Sequence, residues 1–218
     1  YAKLLSRFAE LSCREPNGQR RLEQLTGRGV TLALDPTLLL TADDWRARAT
    51  GSVPFAPNGY IFYYAFSYSK ANNTRIQEIA EELDLPVVVI DAKQWYIKRM
   101  GRYKNFVLSR ETGPNAFLKL MNGAKYVVTT SFHGTAFATL YRKQFCYINI
   151  PTHDSGDDRT SFLVERLGLT DRFIPVENLT IDLLDSSINY DEVLYRLEML
   201  KSSSLEYLDR NLERAEHA

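Results

Sequence analysis

Tyr126-Val127-Val128-Thr129-Thr130-Ser131-Phe132-His133-Gly134-Thr135-Ala136-Phe137 begins as an apolar β-like run, breaks at Ser-Phe-His-Gly-Thr and resumes as a helical pattern. The change of period places a titratable side chain at a strand-to-helix junction. In an open α/β sheet, ligands sit outside the carboxyl ends of the strands, and the first N–H groups of the following helix attract anions. His133 is therefore the first candidate for chemistry. The same residues also fit a half-buried histidine beside Phe132 and Phe137, satisfied by a neighbouring carbonyl, with Gly134 serving close packing.

Outward from this stretch the periods alternate between strand and helix. Strands are expected over Tyr60–Phe66, Pro86–Asp91, Asn105–Leu108, Lys125–Thr130 and Gln144–Ile148. Helices are expected over Asn73–Leu83, Pro114–Met121, Thr135–Tyr141 and Ser161–Leu167. This alternation predicts a Rossmann-like parallel sheet with helices on both faces. Continuous apolar runs such as Val87-Val88-Val89-Ile90 suit strands covered on both sides.

Upstream, the chain reads as an apolar helix-like start, a Ser-Cys-Arg-Glu turn, a polar helix over Gly18–Leu25 and a short strand over Val30–Leu34 ending at Asp35-Pro36. Gly51, Ser52, Pro54 and Pro57 mark Arg46–Asn58 as a linker, because such residues favour turns over regular structure. Downstream, Leu194, Leu197, Leu200, Leu205, Leu208 and Leu212 predict one or two terminal helices with a docked apolar face, and Ser202-Ser203-Ser204 marks a candidate break. The expected organisation is a tail of an N-terminal Rossmann-like domain over 1–45, a linker over 46–58, a C-terminal Rossmann-like domain over 59–189 and C-terminal helices over 190–218.

With 218 residues at 44% hydrophobic content the chain can bury a full core. Lys and Arg number 27 and so do Asp and Glu, so no overall basic field favours nucleic acid or acidic lipid, and an anion site must be local. Cys13 and Cys146 are far apart and lack metal-ligand spacing, which suits a reducing compartment. Cys146 lies in an apolar run and reads as core; Cys13 stands next to Arg14, a neighbour that could lower its pKa. No run of eighteen apolar residues and no signal-peptide pattern occurs, so no transmembrane segment is expected. The expected localisation is cytoplasmic, with peripheral association at the inner membrane face left open. The start at Tyr1 rather than Met leaves room for an upstream segment.

Five stretches in a shared order give a resemblance. Ser12-Cys13-Arg14-Glu15 and Asp35-Pro36-Thr37-Leu38-Leu39-Leu40 come first. Gly113-Pro114-Asn115-Ala116-Phe117-Leu118 then opens a helix, and Gly123-Ala124-Lys125 leads into the strand that carries Ser131-Phe132-His133-Gly134-Thr135-Ala136-Phe137. From about Phe8 to Phe173 the chain resembles the polysaccharide pyruvyl transferase family. The resemblance implies a glycosyltransferase-B-like, two-domain enzyme with its site in the cleft between the halves, of which this chain holds the C-terminal one.

The implied reaction moves a pyruvyl group from phosphoenolpyruvate to two hydroxyls of a sugar or lipid-linked oligosaccharide, forming a ketal and releasing phosphate. Phosphoenolpyruvate is a substrate, and no cofactor or nucleic-acid partner is implied. His133 becomes the general acid/base, since an imidazole titrates near working pH. Arg14 becomes an anion binder with a fixed fork of donors, oriented by Glu15; a surface pair with Glu15 or Glu10 is its alternative. The Gly134 and Thr135 N–H groups would face the phosphate. Ser131 and Thr135 hydroxyls would either bond phosphate oxygens or cap the helix.

Arg159 aligns loosely with a basic residue of the family. It follows Asp154-Ser155-Gly156-Asp157-Asp158, where Asp157 or Asp158 fits a helix N-cap. Those acidic residues match no fixed ligand spacing, so no metal is assigned. Tyr63, Tyr64 and Tyr68 read as packing residues rather than a sugar platform. Two other functions fit the same fold: a glycosyltransferase with a nucleotide-sugar donor, and a non-catalytic sugar- or anion-binding domain.

Overall fold

A computed structural model describes residues 1–49, 58–149 and 158–216. In chain order the elements are α1 (Ala2–Leu5), β1 (Ser12–Cys13), α2 (Pro16–Thr26), β2 (Thr31–Leu32), α3 (Ala42–Arg48), β3 (Ile61–Tyr64), α4 (Lys70–Glu82), β4 (Val87–Val89) and α5 (Ala92–Ile97). They continue with β5 (Phe106–Leu108), α6 (Gly113–Gly123), β6 (Tyr126–Thr129), α7 (Phe132–Leu140), β7 (Gln144–Asn149), α8 (Arg159–Leu167), β8 (Phe173–Pro175), α9 (Ile181–Asp185) and α10 (Tyr190–Glu216). Two compact units result. One comprises Tyr1–Leu40, Asp154–Thr170 and Asn189–Ala218, and the other Thr41–His153 and Asp171–Ile188.

The larger unit is built on a six-stranded sheet of order β5-β4-β3-β6-β7-β8 in which every pairing is parallel. The α/β reading of the sequence is correct. Val87, Val88 and Val89 are all fully buried, as a strand covered on both faces requires. The chain moves outward in one direction from β3 through β4 to β5, then returns to the other side of β3 for β6, β7 and β8. The topological switch point therefore lies between β3 and β6, the place where open α/β sheets receive ligands. Tyr63 and Tyr68 are buried with their rings edge to face at 4.8 Å, in keeping with packing residues.

Helix α3 belongs to this unit. Trp45 meets the Phe137 ring edge-on at 5.2 Å, and Arg46 Nε donates to Asn122 Oδ1 at 3.1 Å. Thr41 and Asp44 cap the helix reciprocally, which is why it starts there. It runs through Arg48 into the stretch read as a linker; residues 50–57 of that stretch lie outside the described residues.

In the smaller unit β1 and β2 pair in parallel through α2. The C-terminal segment is one helix of 27 residues, unbroken at Ser202-Ser203-Ser204. Ser204 Oγ donates to Leu200 O at 2.8 Å and accepts the Leu34 N–H at 2.9 Å, so this buried hydroxyl is satisfied inside the helix. The buried stripe of α10 runs through Val193, Leu197, Ser204 and Tyr207, while Leu205, Leu208 and Leu212 are exposed. The leucine spacing thus misplaces the docked face by part of a turn. No helix among the described residues is long and apolar enough to cross a membrane.

Candidate functional site

Two clusters carry the residues singled out by sequence, one in each unit. The first lies at the switch point. Strand β6 ends at Thr129, Ser131 is the N-cap of α7, and His133 stands in the first turn. Helix α7 starts three residues earlier than its apolar pattern indicates, because the Ser131 side chain accepts the Gly134 N–H at 3.4 Å. The loops after β3 and β6 are tied together: Thr130 N donates to Tyr64 O at 3.2 Å, and Phe66 N donates to Thr130 Oγ1 at 3.0 Å.

Every residue of α7 except His133 is buried. His133 is half-buried, its ring 5.3 Å from that of Phe132 and nearly perpendicular to it. A polar, titratable group is thereby held, partly exposed, at the carboxyl end of the central strand, while the rest of its helix is buried.

Of the two uses open to the Ser131 and Thr135 hydroxyls, the structure shows the helical one. Ser131 caps the helix, and Thr135 Oγ1 donates to Ser131 O at 3.3 Å, both residues being fully buried. The Gly134 and Thr135 N–H groups are also engaged inside the helix, with Ser131 Oγ and Ser131 O. With α7 beginning at Phe132, these amides, expected to face a phosphate, take part in its hydrogen-bond ladder. Gly134 is required for close approach, since a Cβ built there would stand 2.0 Å from Thr129 Oγ1.

The second cluster lies past the ends of β1 and β2. Arg14 forms ion pairs with Asp35 and, at 3.4 Å, with Glu15. Glu10 pairs instead with Arg214 at 3.0 Å. Asp35 is only 4% exposed; its Oδ1 accepts from Thr37 N at 3.0 Å and from Thr37 Oγ1 at 2.7 Å. Burial raises the Asp35 pKa, but the hydrogen bonds from Thr37 and Arg14 and the Arg14 charge outweigh it and hold the carboxyl below its ordinary value.

The Asp-Pro-Thr stretch, visible as a motif, thus supplies the carboxylate that sets the Arg14 guanidinium, a role the sequence alone did not assign. Arg14, Glu15 and Asp35 line a cavity of about 390 Å³ that Ser204 and Tyr207 of α10 also border. Cys13 lines it too, packed so that a Cβ on Gly18 would meet its Sγ at 2.5 Å.

Arg159 is the first residue of α8 and half-buried. Asp158 occupies the N-cap position, yet its carboxylate does not cap its own helix: Oδ2 accepts the Asn17 N–H of α2 at 3.0 Å. This contact brings the start of α8 to the start of α2, three residues after Arg14. Asp154 and Asp157 lie outside the described residues. Among the described residues no group of three or more His, Cys, Asp or Glu could hold a metal ion.

A sequence model of the polysaccharide pyruvyl transferase family matches residues 1–151. No curated protein matches the chain significantly. Among solved structures, UDP-GlcNAc 2-epimerase from Methanocaldococcus jannaschii superposes with a TM-score of 0.50 at 13% identity, covering 88% of this chain and 55% of that one. UDP-GlcNAc 2-epimerase from Neisseria meningitidis bound to UDP-GlcNAc gives 0.43 at 11% identity, over 89% and 60%. The wall teichoic acid polymerase TagF gives 0.41 at 14% identity, over 95% and 60%. The chain therefore spans little more than half the length of these structures. At 13% identity the first likeness concerns fold alone, and it agrees with a glycosyltransferase-B-like α/β architecture.

Proposed function

The chain belongs to the polysaccharide pyruvyl transferase family, and from that membership we propose that it is the part of a transferase that acts on phosphoenolpyruvate and a sugar acceptor. The observation that carries the reading is His133: in a helix otherwise wholly buried, it alone is partly exposed, at the carboxyl end of the strand beside the switch point.

In this reading the methylene carbon of phosphoenolpyruvate is protonated to a methyl group. Two sugar hydroxyl oxygens bond to the central carbon, whose bond to the phosphate oxygen breaks. Of the two hydroxyl protons, one balances the proton delivered to carbon and the other leaves with phosphate. His133 moves the proton, a task suited to a group that titrates near neutrality. Arg14, held by Asp35 and Glu15, presents its positive charge to a carboxylate or phosphate, and Arg159 adds a second cation. Ser131, Gly134 and Thr135 act by building the turn that presents His133, and no metal or cofactor is assigned. The acceptor is a sugar or lipid-linked oligosaccharide, and the protein works in the cytoplasm.

Thermal shift tests the donor. A ligand that binds only the folded state raises its stability by mass action, so phosphoenolpyruvate should raise Tm where a panel of nucleotide sugars does not. Phosphate release by the intact enzyme should also depend on acceptor sugar. Stabilisation by a nucleotide sugar alone, with no acceptor-dependent phosphate release, would replace this reading with that of a glycosyltransferase.

A further inference from the structure

Charge is balanced over the whole chain but not along it. Between Asp91 and Glu111 stand Lys93, Lys98, Arg99, Arg102, Lys104 and Arg110, with no carboxylate among them, and all six cations are exposed. The two bordering carboxylates are engaged: Asp91 Oδ1 caps α5 by accepting the Gln94 N–H at 2.9 Å, and Glu111 pairs with Lys119 at 3.0 Å. The segment comprises α5, a 3-10 turn over Met100–Arg102 and β5, the edge strand of the six-stranded sheet.

At its outer tip two large apolar side chains face solvent next to each other, Tyr96 at 74% exposure and Ile97 at 60%, followed directly by Lys98 and Arg99. The tip is anchored from below. Met100 and Tyr103 are buried in the core, and Trp95 lies against Gly101, where an added Cβ would stand 3.3 Å from its ring. Arg102 spreads its guanidinium over the Tyr103 ring at 5.0 Å. Arg99 turns the chain with a φ of 50°, and the exposed residues Tyr96 through Arg99 form a knob above these anchors.

We propose that this knob docks the protein on an anionic phospholipid membrane, with Tyr96 and Ile97 entering the headgroup region and the surrounding lysines and arginines meeting lipid phosphates. Charge complementarity favours an anionic partner, and the paired aromatic and aliphatic tip favours a bilayer over a nucleic acid. An amphipathic surface element binds lipid through exactly this combination of a buried apolar face and basic flanks; a nucleic-acid backbone offers Ile97 nothing to bury it. The inference goes beyond pyruvyl transfer and does not depend on it.

The test is co-sedimentation of the intact protein with vesicles of phosphatidylcholine alone or mixed with phosphatidylglycerol, with circular dichroism to check folding of each variant. Binding should appear only with the anionic vesicles and fade with added salt. Each cation at such a surface multiplies partitioning about fivefold, so Lys98→Gln with Arg99→Gln should lower it about 25-fold. Tyr96→Ser with Ile97→Ser should also weaken it while leaving the charge intact. Equal partitioning to both vesicle types, or none to either, would overturn the proposal. So would binding indifferent to the Tyr96/Ile97 pair and abolished by a competing RNA oligonucleotide, which would mark a polyanion site instead.

Discussion

Gly134 and Thr129 approach so closely that a Cβ on the glycine would stand 2.0 Å from the threonine Oγ1 and 2.8 Å from its Cβ. The hydroxyl cannot swing away without loss, for it donates to Tyr64 O at 2.6 Å and accepts the Ser131 N–H at 3.0 Å. Gly134→Ala must therefore push α7 off β6 or break that pair of bonds. Overpacking of this kind costs about 1–3 kcal/mol, which for a chain of this size lowers Tm by roughly 2–12 °C. Adding Thr129→Ala should recover part of the loss, a positive coupling readable in a double-mutant cycle. An alanine variant as stable as wild type would mean the two elements are not held in this contact.

The sheet was legible because its strands advertise themselves: Val87-Val88-Val89 and Tyr126-Val127-Val128-Thr129 are apolar runs bounded by polar turns. The elements that escaped are those whose stability comes from partners distant in sequence. Strand β8 is three residues at the sheet edge and ends in Pro175, tolerable there because an edge strand needs fewer ladder donors. Helix α5 is only six residues, held by the Asp91 cap and by Trp95 against the core. At the candidate sites, His133 was readable from the change of period. The Asp35 clamp on Arg14 was not, since it joins residues 21 apart through the pairing of β1 with β2.

Asp35 gives a prediction in pH. Its carboxyl is depressed below the ordinary 3.8 in the folded protein, so the stabilisation it carries is complete above 3.8 and is lost as pH falls through the folded value. Asp35→Asn lacks that increment at every pH. Urea midpoints measured from neutrality down into the acid range should therefore converge: the variant starts lower and falls less steeply than wild type. Parallel profiles would remove Asp35 from the account of acid stability. In the intact enzyme the same substitution leaves Arg14 without its buried partner and should raise the donor KM.

Arg172 is a buried cation, 2% exposed, that the sequence did not single out. Its Nη1 donates to Leu183 O at 2.6 Å, Nη2 donates to Ser186 O and Ser186 Oγ at 2.8 Å, and Nε faces Asp171 at 3.1 Å. The same charge partly offsets burial at Cys146, which still pushes that thiol up to about 12. Arg172→Met should cost about 1–3 kcal/mol, because the Leu183 and Ser186 carbonyls at the C-terminal end of α9 lose the guanidinium that donates to them. Arg172→Lys, able to reach one of them, should cost less. Chemical denaturation of both variants checks the order; a methionine variant more stable than the lysine one would show that packing rather than hydrogen bonding holds α9.

The His133 prediction separates proton transfer from binding. A general acid/base contributes about a hundred- to ten-thousand-fold to turnover, so His133→Ala in the intact enzyme should lower kcat by that order. Donor affinity, assigned mainly to Arg14 and Arg159, should weaken much less. The substitution leaves the cap of α7 in place, since that cap comes from Ser131, and falls on the one residue of the helix that is not buried. His133→Asn keeps a hydrogen-bonding group of similar reach but cannot titrate near neutral pH. If His133 carries the proton, the two variants are equally slow and the neutral limb of the pH–rate profile disappears in both. If the asparagine variant turns over at close to the wild-type rate, His133 is a hydrogen-bonding contact, and the proton must come from another group.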